Sequence, residues 1–112
     1  MRLPRLTRPM VLETPVRTPD AAGGHATIWT VKGSLFAEVM PGTGRQVSDE
    51  IAALSRLTCR IVLRASAVGE ASRPVPGDRL REGAITYRIE AVAAYDRGAH
   101  YLTCYATEES VT

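Results

Sequence analysis

The chain has 112 residues, of which 45% are hydrophobic and 23% charged, and it carries a formal net charge of +2. That length holds one domain with a modest core, and that composition excludes a disordered chain. The charge is too small to argue by itself for nucleic-acid binding, and no apolar run reaches signal-peptide or membrane-spanning length, which predicts a protein made in the cytosol with no membrane partner.

Met1–Pro9 carries two prolines and three arginines without periodicity and reads as an extended arm. Arg2, Arg5, Arg8 and Arg17 oppose only Glu13, so the first seventeen residues carry +3, while Glu108 and Glu109 make the other end acidic. Thirteen of the fourteen basic residues are arginine, a bias that suits carboxylate and phosphate contacts and equally follows from codon usage. A hairpin comes next, because Asp20–Gly24 supplies residues that tolerate the positive φ of a tight reversal. The strand after it carries Trp29, is expected to break at Gly33, and resumes as Leu35–Val39. Pro41, Gly42 and Gly44 end it.

Pro41–Leu57 is long for a loop inside a compact domain, and such loops are usually functional or disordered. Its second half, Ser48–Leu57, is predicted to form a short helix. Ser48 would cap it, Asp49 and Glu50 would favour its N-terminus, and Ile51, Leu54 and Leu57 repeat every third residue. Periodicity then returns to two. Cys59, Ile61, Leu63 and Ala65 alternate with Thr58, Arg60, Val62 and Arg64; Ile85, Tyr87, Ile89 and Ala91 alternate with Thr86, Arg88 and Glu90; Leu102, Cys104 and Ala106 oppose Tyr101, Thr103 and Tyr105. These are half-buried antiparallel strands, separated by turns at Gly69–Gly77, Glu82–Gly83 and Asp96–Gly98. The fold class is therefore all-β, a small antiparallel barrel or sandwich formed by one domain over residues 1–112. Aromatics are only 5%, so aliphatic side chains fill the core.

Catalytic chemistry needs converging groups, and few are offered. His25 and His100 lie at turns as solvated residues, and neither they nor Cys59 and Cys104 have metal-ligand spacing. The two cysteines read as small buried thiols, with a disulfide left open by spacing alone. Gly42–Arg45 has the glycines of a phosphate loop but lacks the lysine and the following helix. The sequence predicts no enzyme, no metal and no cofactor.

Five ordered pieces resemble one family: the Asp20–Gly24 turn with its Trp29 strand, Phe36-Ala-Glu-Val39 with the Pro41–Arg45 exit, Cys59–Ala65, Pro76–Leu80 with Tyr87–Val92, and Leu102–Cys104. Together they resemble the head-tail joining proteins of tailed phages and phage-like gene transfer agents, the small head-closure or stopper proteins. The resemblance covers roughly Pro9 to Glu108. It implies a structural ring, six- or twelvefold, below the portal and adaptor of a particle assembled in the bacterial cytoplasm. That ring would close the DNA exit and carry the tail terminator or tail tube. It also implies that Gly42, Thr43, Gly44, Arg45 and Gln46 of the long loop face the double-stranded DNA in the channel.

Two further expectations concern contacts. Arg2, Arg5 and Arg8 of the arm are expected to dock on an adjacent ring. Tyr101 and Tyr105, with Val62 and Val92, lie opposite the predicted core stripes and are expected to pack against a neighbouring subunit. A tail-terminator ring is the nearest rival reading. A monomeric barrel stacking single-stranded nucleic acid on its tyrosines is the rival from another class.

Overall fold

In the computed structural model, residues 3–41, 57–66 and 70–110 are described. The predicted channel residues Gly42–Gln46 and the predicted helix up to Arg56 lie outside them, as does Arg2. Six strands follow in chain order: β1 (Arg8–Pro19), β2 (His25–Pro41), β3 (Leu57–Arg64), β4 (Arg79–Glu82), β5 (Ile85–Ala94) and β6 (Tyr101–Ser110). All neighbouring pairs are antiparallel, and the order β1-β2-β3-β6-β5-β4 closes on itself as a barrel through a short β1–β4 ladder. Closure leaves the small barrel no continuous sheet edge except where strands outrun their neighbours.

The alternation read from the sequence selects the barrel interior. Leu12, Ile61, Leu63, Leu80, Ile89 and Cys104 are essentially inaccessible, and Met10, Tyr87, Leu102 and Ala106 pack with them. Cys59 and Cys104 are free, buried thiols; burial pushes the first up to about 11 and the second to about 12, so neither is a nucleophile at neutral pH.

Two β-bulges alter what simple alternation predicts. Leu12 faces Gly33 and Glu13 faces Val31, so Lys32 is an extra residue in β2. Gly33 therefore does not break the strand; β2 runs through it, and the irregularity is taken up beside it. In β5, Ile89 faces Ala106 and Ala91 faces Tyr105, leaving Glu90 as the extra residue. A one-residue slip exchanges the two faces of a strand. Ala91, expected inside, is exposed, while Val92, expected at a subunit contact, packs against the core. Val62 corrects the same expectation, because it is fully buried despite lying opposite the interior stripe.

Arg8 also departs from the sequence reading. It opens β1 rather than belonging to the arm, and its partner in the ladder is Ala37. Strand direction then sorts the rest. The arm, the end of β2, the start of β3, the β4–β5 turn and the end of β6 share one end of the barrel. The β1–β2 hairpin and the Asp96–His100 turn emerge from the opposite end.

The β5 bulge makes a direct prediction. Val92→Asp should behave as a core substitution and cost about 3 kcal/mol or more, whereas Ala91→Asp should stay within about 0.5 kcal/mol, as measured by equilibrium denaturation.

Candidate assembly surfaces

The β1–β2 hairpin outruns its neighbours. β4 pairs with β1 only at Val11–Glu13, and β3 pairs with β2 only from Ala37 onward. Thr14–Pro19 and His25–Val31 thus form a two-stranded ribbon closed by the Asp20–Gly24 turn, where Asp20 Oδ1 accepts hydrogen bonds from the backbone N–H of Ala22 and Gly24 at 2.9 Å each. Gly23 takes a φ of 87°, which the turn requires and other residues adopt only with strain.

An isolated two-stranded ribbon is marginal, so the root of this one must be held. The segment from Arg73 to Arg81 holds it. Lys32 Nζ, carried out by the bulge, donates to Asp78 Oδ2 at 2.7 Å and to the Arg73 carbonyl at 2.8 Å. Asp78 is 1% exposed; its carboxylate also accepts from the Val75 N–H, and its backbone bonds to Val75 and Ile89. One and three residues on, Arg79 Nε and Arg81 Nε donate to the two oxygens of buried Glu13 at 2.7 and 3.3 Å. The Arg79 guanidinium also lies over the Trp29 ring, 4.1 Å from its centroid. Burial pushes the Glu13 carboxyl up, but the hydrogen bonds and charges of Arg79 and Arg81 outweigh it and hold the group below its ordinary range.

A further ion pair lies at the other end of the barrel. Arg8 grips Glu82 with two nitrogens, and its guanidinium lies 3.5 Å from the Tyr87 hydroxyl. The hydrogen bond from Arg8 holds Glu82 below its ordinary range, and burial pushes Tyr87 up. The Arg8 charge is therefore matched inside its own chain. In the arm, Leu3 is exposed and the Arg5 backbone N–H donates to Glu38 Oε1 at 2.8 Å. That bond tethers the arm to β2.

The two predicted interface tyrosines part company. Tyr105 is 42% exposed, while Tyr101 packs edge-on against Tyr95 and lies under Arg64. They do not form a joint stacking platform. His100 bonds through Nδ1 to Asp96 Oδ2, and among the described residues no cluster of three potential metal ligands exists. No described helix is long and apolar enough to cross a membrane.

Sequence reasoning passed over Lys32, Asp78 and Glu13. The available signals were the lone lysine beside Gly33 and the loss of strict alternation there, both marks of a bulge.

A family model for phage head completion proteins matches residues 1–109. The chain belongs to the phage head completion protein family. It is accordingly a structural protein of a phage-like virion, with a head-closure role. A chain from the virion of a native gene transfer agent particle is 47% identical, with 98% of this chain and 100% of that one covered and a TM-score of 0.78. The solution structure of protein SF1141 from Shigella flexneri 2a is 19% identical over 96% of each chain, with a TM-score of 0.67, and shares the fold. No curated protein matches the chain.

The depressed carboxyls of Glu13 and Glu82 contribute to the acid sensitivity of this head completion protein. Their folded pKa values lie below the unfolded value of about 4.5, so their stabilisation is complete above that pH and is lost as pH falls through the folded values. Unfolding followed from pH 6 to pH 2 should show stability falling below about pH 4.5, and Glu82→Gln should flatten that fall.

Proposed function

We propose that this chain closes the head of a particle of the gene-transfer-agent kind. Copies form a ring, six- or twelvefold, beneath the portal and adaptor. The ring shuts the DNA exit after packaging and offers the surface to which a tail terminator or tail tube attaches. The observation that carries this reading is the 47% identity with a chain of a native gene transfer agent virion, which extends over essentially the full length of both chains.

The long connection between Pro41 and Leu57 is the gate in this reading. It leaves the barrel where β2 and β3 pair through Pro41 and Cys59, at the end opposite the projecting hairpin. Gly42, Thr43, Gly44, Arg45 and Gln46 supply a polar, glycine-rich tip, and one Arg45 per copy gives the ring a positive collar for phosphate. Arg2 and Arg5 dock the arm on an adjacent ring, with Arg8 contributing less because Glu82 already matches its charge. Of the two tyrosines, exposed Tyr105 is the better supported subunit contact.

Deleting Thr43–Ser48 should leave the barrel stable, since changes in loop length cost little free energy. Heads carrying that deletion should package DNA and lose it before tails attach, as read by the DNA content of tail-less heads. Full retention would overturn the gate, and retention with missing tails would make the loop a grip on its neighbours.

A further inference from the structure

The ribbon at the top of β2 has one face without charge. Thr14, Val16 and Thr18 pair across it with Thr30, Ile28 and Ala26, and Val16 and Ile28 are 40% and 52% exposed. This face continues the side on which Met10 and Leu12 point into the barrel, but here no core covers it. The backbone beside it is open as well. Among the described residues no strand pairs with the outer edge of β2 from His25 to Phe36. Soluble proteins blunt such edges with charges, bulges or proline. The β1 strand of the ribbon has Pro15 and Pro19, whereas β2 has none before Pro41. Apart from the bulge at Lys32, the β2 edge carries neither proline nor a charged side chain, and it presents Ile28.

The same strand carries a second, unlike surface on its opposite side. Phe36 and Val31 are 59% and 56% exposed on the outer face. Phe36 borders a shallow groove of about 250 Å³ lined by Pro9, Val11, Ser34, Arg81 and Gly83. An enclosed apolar space of about 150 Å³ accepts a benzene molecule, so the groove has room for an aliphatic side chain. Ile28 and Phe36 are eight residues apart along β2, roughly 26 Å at strand rise, and they face opposite ways. One copy therefore cannot seat its own hairpin in its own groove.

We infer that the hairpin of one copy docks through Val16 and Ile28 on the Phe36 groove of the next copy, a head-to-tail contact. A projecting apolar knob and a separate apolar groove on one chain are the two unlike surfaces that a closed ring needs and that a twofold dimer does not. The inference rests on the ring proposed above. The buried ion pairs at the ribbon root keep the knob in a fixed pose, which lowers the ordering cost of docking.

The test is cross-linking in assembled particles with an Ile28→Cys, Phe36→Cys double variant and a short thiol-reactive linker. The native thiols are buried and protonated, so the background is low. The double variant should give a ladder of dimer, trimer and higher species of this chain alone, and each single variant should give none. A second arm uses Ile28→Asp, which should melt like the parent yet enter particles at least tenfold less. Absence of the ladder in particles that contain the double variant overturns the contact. So does a dimer from Ile28→Cys alone, a link to a different virion protein, or parental incorporation of Ile28→Asp. Absence of the parent protein from particles would instead remove the ring itself.

Discussion

The contact between Lys32 and Asp78 ties the projecting hairpin to the body of the barrel. It joins a bulge in the longest strand to the loop that leads into β4, and the same loop continues into the two arginines that hold Glu13. Nine consecutive residues, Arg73–Arg81, therefore grip the hairpin root from both of its strands. A buried pair of this kind adds little net stability, because desolvation cancels much of the attraction. Its value lies in geometry: an apolar replacement would pack without defining an angle, whereas an ammonium shared between a carboxylate and a carbonyl is satisfied in one pose.

The division of the barrel into two ends gives that pose a functional meaning. The end that bears the arm and the exit of β2 toward the long loop has its own ion pair, Arg8 with Glu82, beneath the Tyr87 hydroxyl. The opposite end carries the hairpin. A component of a virion meets other virion components, and this chain keeps its projecting parts apart by placing them at opposite ends of a closed sheet. A closed barrel suits such a role because small strains at one contact are not relieved by slippage of an open edge.

How far the sequence discloses this is uneven, and the reason is physical. Alternation identified Cys59–Leu63 and Leu102–Ala106 as inward stripes because regular pleat geometry governs those residues. It failed at Val92 and Gly33 because a bulge obeys the partner strand and not the local pattern. The arm stops short of Pro9, since proline and arginine obscure the start of β1, and Arg8 has a partly buried carboxylate partner seventy-four residues away. The sequence marks the bulge at Lys32, through the lone lysine beside Gly33, but the long-range pairings Arg8–Glu82, Glu13–Arg79 and Lys32–Asp78 leave no local signature. The family could be read from the order of short strand motifs, whereas the clamp on the hairpin could be read only from the fold.

The most direct measurement of this account is hydrogen exchange on the Lys32→Met, Asp78→Leu double variant. Removing both charges together avoids an uncompensated buried ion, so global stability should stay within about 1–2 kcal/mol of the parent. The account predicts that the hydrogen-bonded ribbon amides among Ile28–Val31, Thr14 and Val16 exchange at least tenfold faster, while those of Ile61, Ile89 and Cys104 keep their protection. Unchanged exchange in the ribbon would mean that the strand ladder alone holds the hairpin, and the central role given to Lys32 and Asp78 would be wrong.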